Sequence, residues 1–162
     1  MRILGLDPGS RITGIGVIDG ERLVAAEALE LGSGPMPQRL AVIFAGIQAA
    51  ITEYEPEMVA VETVFMSRNP QAAIKLGQAR GAAICAATAA GLEVHEYAPR
   101  LIKQAIVGRG AADKRQIQHM VKVLLGTGED LQADAADALA VALCHFHTAQ
   151  TASRLPAGVV LR

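Results

Sequence analysis

The chain has no tryptophan, three phenylalanines and two tyrosines in 162 residues. With so few rings, its core must be built from aliphatic side chains and alanine, which its 51% hydrophobic content supplies. Cysteine is equally scarce. Cys85 and Cys144 both lie in apolar, alanine-rich surroundings, which excludes a disulfide framework and suits reduced residues packed in a core. Long apolar runs are missing too. The longest uncharged one extends from Gly81 to Leu92, between Arg80 and Glu93, well short of the roughly 18 residues that span a bilayer. A mean hydropathy of +0.30 therefore reflects a core, and no membrane partner is expected. The opening Met-Arg-Ile-Leu-Gly-Leu-Asp lacks the pattern of a signal peptide, so the expected compartment is the cytoplasm.

An excess of charge of one sign is absent as well. The net charge is −1 and the pI about 6.4, which excludes a uniformly basic nucleic-acid binder. The distribution is uneven, however. Residues 1–62 carry four Lys/Arg and nine Asp/Glu, residues 63–122 carry nine and three, and residues 123–162 carry two and four. A basic middle between acidic flanks fits either a solvated helix face or a DNA-facing surface around an acidic site.

The length suits one domain, expected over 1–150, with 151–162 a loose tail. Strands are predicted over Arg2–Asp7, Ile12–Ile18 and Leu23–Leu31, joined as hairpins at Pro8-Gly9-Ser10 and Asp19-Gly20. Leu40, Ile43, Phe44, Ile47 and Ile51 recur at helical spacing within Gln38–Tyr54. After Pro56, Met58–Glu62 reads as a buried strand. Helices are predicted over Pro70–Gly91, Pro99–Val107, Lys114–Leu125 and Ala133 to about Thr148, with a last strand at Leu92–Tyr97. This is an α/β layout with a mixed sheet flanked by helices.

The candidate chemistry lies in four acids. Strand pleating puts Ile3, Gly5 and Asp7 on one face, and Met58, Ala60 and Glu62 on one face of another strand. Each strand thus ends in a carboxylate at its C-terminal end, where α/β sheets bind ligands. Asp134 and Asp137 are one helical turn apart on one side of the last helix, among Ala133, Ala135, Ala136 and Ala138. Any one of these acids could be an ordinary cap, turn or dipole partner. Four aimed at an apolar core need a counter-charge, because an isolated buried ion costs several kcal/mol. Hard oxygen ligands suit Mg²⁺, with Mn²⁺ a substitute, and two such ions roughly 3.5–4 Å apart can clamp a phosphodiester.

Four segments carry a resemblance: Asp-Pro-Gly-Ser-Arg-Ile-Thr-Gly-Ile-Gly (7–16), Glu-Thr-Val-Phe-Met-Ser-Arg-Asn (62–69), Lys-Leu-Gly-Gln-Ala-Arg-Gly (75–81) and Gln-Ala-Asp-Ala-Ala-Asp-Ala-Leu-Ala (132–140). In order and spacing they resemble the RuvC resolvases, from Arg2 to about Gln150. The resemblance implies a ribonuclease H-like fold, with Asp7, Glu62, Asp134 and Asp137 as catalytic metal-binding acids. It also implies a homodimer that resolves Holliday junctions in recombination and repair. That dimer nicks two strands of like polarity symmetrically and works with the RuvA–RuvB branch-migration complex. Arg68 stands where relatives more often carry lysine, which keeps the charge.

The resemblance further implies that Lys103 and Lys114 lie near the scissile phosphate. Arg68, Lys75, Arg80, Arg109 and Arg115 are weaker candidates for contacts to the DNA backbone. Phe65, three residues past Glu62, suits either core packing or stacking on an unpaired base. Ala72, Ile74, Leu76 and Ala79 suit packing within the chain or between two copies. Cys144, His145 and His147 on one helix face different ways, so no zinc site is expected there. The strand–Asp-x-Gly–turn–strand opening also occurs in sugar-kinase and actin-like ATP-binding domains, but those need two such domains around a cleft.

Overall fold

The computed structural model describes residues 1–63 and 69–154. Strands β1 (Arg2–Asp7), β2 (Ile12–Asp19) and β3 (Arg22–Glu30) form an antiparallel meander. Helix α1 (Met36–Tyr54) then crosses to β4 (Met58–Glu62), which lies parallel to β1. Helix α2 (Pro70–Ala89) leads to β5 (Glu93–Tyr97), parallel to β4. Three helices follow: α3 (Pro99–Val107), α4 (Lys114–Leu124) and α5 (Ala133–Arg154). The sheet order is β3-β2-β1-β4-β5, a mixed sheet in a single domain.

Strand alternation divides the core in two. Leu4, Leu6, Ile15, Val17, Val59 and Val61 pack with Ile43 and Ile47 of α1 and Ala79, Ala83, Ala86 and Ala87 of α2. On the other face, Ile3, Ile18, Ala60 and Tyr97 pack with Ile102, Ile117, Val121 and the run Leu139–Cys144. The result is three layers, with α5 fully buried from Ala138 to Cys144 and lying across β1 and β2. Alanine and aliphatic residues fill both interfaces, in keeping with the scarcity of aromatic rings.

Element boundaries differ from expectation by a residue or two, except at the end. Helix α5 continues to Arg154, so residues 151–154 are helical where a loose tail is expected. No proline or glycine interrupts Ala149-Gln150-Thr151-Ala152-Ser153-Arg154, and helix propagates readily through such residues. Residues 155–162 lie outside the described residues. Among those described, no helix is long and apolar enough to cross a membrane.

Candidate active site

Asp7 and Glu62 stand side by side because β1 and β4 are parallel and in register. The paired positions run from Ile3↔Met58 to Leu6↔Val61, and each carboxylate follows one step later. Asp7 is also paired with Gly14 on β2, and Glu62 with Tyr97 on β5. Three glycines on this face then determine how close α5 can come. A Cβ on Gly5 would stand 2.1 Å from the Ala138 carbonyl oxygen, and one on Gly14 would stand 2.0 Å from the Asp134 carbonyl oxygen. A Cβ on Gly16 would meet the Leu139 nitrogen at 2.7 Å. Helix backbone therefore lies directly on strand backbone, and the first turns of α5 bring Asp134 and Asp137 to the strand ends. Asp134 in the first turn also has a favourable place in the helix dipole.

The four acids share one electrostatic field. Burial, then the charges of Asp137, Glu62 and Asp134, push the Asp7 carboxyl up to about 7 from an ordinary 3.8. Burial and then Asp137 raise Glu62, against Lys103 and Lys114, which lower it. Asp137 is also raised, so its burial outweighs a 2.6 Å ion pair between its Oδ2 and Lys114 Nζ. Lys114 itself is held above the usual lysine range, first by that hydrogen bond to Asp137 and then by the charges around it. Among the described residues, no three carboxylate, histidine or cysteine groups close into a ready-made cage. Like charges repel, and the Lys114 ammonium is the counter-ion at Asp137. The donor set nonetheless fits a hard divalent cation: carboxylate oxygens only, partly buried, with protonation favoured where positive charge falls short.

Lys103 and Lys114 complete the surroundings. Both line a cleft of about 190 Å³ with Glu62, Asp137, Ile102 and Ile117. Lys114 is fixed by a capping box at the start of α4. The Asp113 side chain accepts from the Gln116 N–H at 2.9 Å, while the Gln116 side chain accepts from the Asp113 N–H at 3.0 Å. That pairing holds Lys114 at the first helical position. Lys103 follows the buried Ile102 on α3, a helix that opens with Pro99.

The other anticipated residues are dispersed. Lys75 is exposed on α2, Arg109 is exposed beyond α3, and Arg115 is exposed on α4. Arg80 is turned inward: its Nε donates to the Glu62 carbonyl oxygen at 3.2 Å, and its guanidinium pairs with the Glu96 carboxylate. Phe65 and Arg68 lie outside the described residues. Ala79 is buried, whereas Ile74 is 62% exposed, so Ile74 does not pack within the chain. His145 accepts or donates at Nδ1 to the Tyr97 hydroxyl at 2.6 Å and faces Met58 Sδ, a buried polar network. The glycines and the Asp113–Gln116 box were legible as strand glycines of like parity and as an Asp-x-x-Gln start. Neither stood out, because their importance depends on which helix packs there.

Comparison with known proteins agrees with this geometry. The family model "Crossover junction endodeoxyribonuclease RuvC" matches residues 3–145. A crossover junction endodeoxyribonuclease RuvC of Methylococcus capsulatus is 55% identical over 95% of this chain and 95% of its own length. That of Marinobacter nauticus is 56% identical over 94% and 90%. Among solved structures, Thermus thermophilus RuvC in complex with Holliday junction substrate superposes with a TM-score of 0.87 at 36% identity, covering 94% of this chain and 97% of that one. The mixed sheet is thus of the ribonuclease H-like kind, and the chain belongs to the RuvC family of crossover junction endodeoxyribonucleases.

Proposed function

We propose that the chain resolves Holliday junctions by hydrolysing phosphodiesters at the C-terminal edge of its sheet. The observation that carries this reading is the convergence of Asp7, Glu62, Asp134 and Asp137 beside Lys103 and Lys114. The four acids would hold Mg²⁺, or Mn²⁺ in its place, as two ions per site. Bound there, the ions supply Lewis-acid stabilisation of the attacking and leaving oxygens of an in-line displacement.

The protein's own groups do the rest. Asp7 gives up its proton before it can act as a ligand, since burial among three other acids holds it near 7. Lys114 exchanges its Asp137 contact for a phosphate oxygen, and Lys103 meets the same group from α3. Ile102 and Ile117 form an apolar wall that orients the backbone and limits water. The cleft is lined by Glu62, Asp137, Lys103 and Lys114, acids and ammonium groups that together suit a phosphodiester and its metal ions.

Each copy carries one set of four acids, so paired nicks in two strands of like polarity call for a homodimer. The cut ends are 5′-phosphate and 3′-hydroxyl. Lys75 and Arg115, exposed on α2 and α4, follow the DNA backbone together with Arg68, and Phe65 either stacks on an unpaired base at the crossover or packs in the core. The protein works in the cytoplasm with the RuvA–RuvB complex. The test is a synthetic four-way junction with a short mobile core against linear duplex of the same sequence, in Mg²⁺ or Mn²⁺. Paired symmetric nicks confined to the junction are expected. Equal cutting of duplex would remove junction selectivity, and no cutting in several sequence contexts would remove the nuclease.

A further inference from the structure

We infer that Arg80 is a positioning residue for Glu62, and that Glu96 holds it in that role. The inference rests on the proposed nuclease function. Glu62 is the last residue of β4, so its backbone is held from neighbouring elements. Its pairing with β1 ends one step earlier at Leu6↔Val61. On the β5 side the strand end is held by the Thr63 N–H donating to the Tyr97 carbonyl oxygen at 2.8 Å. The Thr63 hydroxyl donates to the same oxygen at 3.3 Å.

From the α2 side, Arg80 Nε donates to the Glu62 carbonyl oxygen at 3.2 Å. The same guanidinium pairs with the carboxylate of Glu96, the residue opposite Val61 in the β4–β5 ladder. A planar guanidinium can serve two acceptors in fixed directions, which a lysine ammonium does less well. Arg80 therefore ties three elements together at the residue carrying the carboxylate. Its side chain is only 21% exposed, spent on protein acceptors and not presented to a polyanion. Catalytic groups tolerate little displacement, and an error near 1 Å can cost about a hundredfold in rate.

The test compares wild type, Arg80→Met, Arg80→Lys and Glu96→Gln on a synthetic four-way junction. Single-turnover cleavage is followed at saturating protein across a Mg²⁺ series, and junction affinity is measured in EDTA across a salt series. Thermal melting reports folding. Arg80→Met is expected to lower the cleavage rate about ten- to a hundredfold, with junction affinity and its salt slope unchanged. More Mg²⁺ is expected to be needed for half-maximal rate. Arg80→Lys should recover part of the rate, and Glu96→Gln, at a more exposed residue, should show a smaller loss of the same kind. Weakened binding with a salt slope reduced by about one would make Arg80 a phosphate contact and overturn the inference. So would a lowered melting temperature with unchanged rate and Mg²⁺ dependence in Glu96→Gln and Arg80→Lys. If wild type cuts the junction and Arg80→Met cuts it equally well, this inference fails while the nuclease reading stands. If wild type does not cut, the nuclease reading itself fails.

Discussion

A Cβ on Gly14 would stand 2.0 Å from the carbonyl oxygen of Asp134, so the strand beside Asp7 and the helix carrying Asp134 meet backbone to backbone. Gly14→Ala cannot be absorbed by a rotamer change, because the clash is with main chain. It is expected to cost about 1–3 kcal/mol of stability and to push the start of α5 away from β1. Cleavage should fall roughly a hundredfold although all four acids remain, while junction binding in EDTA persists. Thermal melting and single-turnover cleavage check this together. Wild-type rate in a folded Gly14→Ala variant would contradict it.

Lys114 Nζ pairs with Asp137 Oδ2 at 2.6 Å, within the cleft it lines with Glu62 and Lys103. Lys114→Gln is expected to lower the junction cleavage rate about 10²- to 10³-fold. Without the lysine, the pKa of Asp137 rises further, because burial then acts unopposed by the ion pair. Carboxyl titration followed by NMR would register that rise, and an unmoved Asp137 would argue against the pairing.

Asp7 sets a pH dependence whose sign can be worked out. Its carboxyl is near 7 in the fold against an ordinary 3.8, so the folded chain binds the extra proton between those values. Stability of the metal-free protein contributed by this group is present below about 4 and is lost as pH rises through 7, on the order of 4 kcal/mol at most. Asp7→Asn should remove that fall. Mg²⁺ affinity should rise with pH across the same range, since binding displaces the proton. Denaturant melts at several pH values, with calorimetric Mg²⁺ titrations beside them, measure both.

His145 acts in the opposite direction. Burial first, then the neighbouring His95, push it down to about 4 from 6.5, and it bonds the Tyr97 hydroxyl. The unfolded chain therefore binds more protons between 6.5 and 4, and this contribution is lost as pH falls through that window, by about 3 kcal/mol. His145→Gln should leave the metal-free protein relatively more stable at pH 4.5 than at 6.5, compared with wild type. An unchanged acid limb in melts of that variant would contradict the assignment.

Much of this was legible in the residues. The ends of β1 and β4 were marked by the pleat parity of Ile3-Gly5-Asp7 and Met58-Ala60-Glu62, and the Asp134–Asp137 spacing gave one helix face. These are local periodicities, and the sheet preserved them. Strand order was not legible, because which strands pair depends on long-range packing. The inward turn of Arg80 was hidden for a related reason: an arginine on an alanine-rich helix looks like a surface cation until β5 supplies Glu96 opposite it. The extension of α5 to Arg154 is not legible, because the small and polar residues after Gln150 carry no apolar periodicity to mark a helix, although nothing in them breaks one.

The most direct test of the central claim sets wild type beside Asp7→Asn on a four-way junction, with cleavage in Mg²⁺ and binding in EDTA measured separately. The account predicts paired junction nicks by wild type and cleavage lower by several orders of magnitude in the variant, with junction binding in EDTA undiminished. Cleavage by Asp7→Asn at the wild-type rate would show that the four-acid cluster is not the catalytic centre.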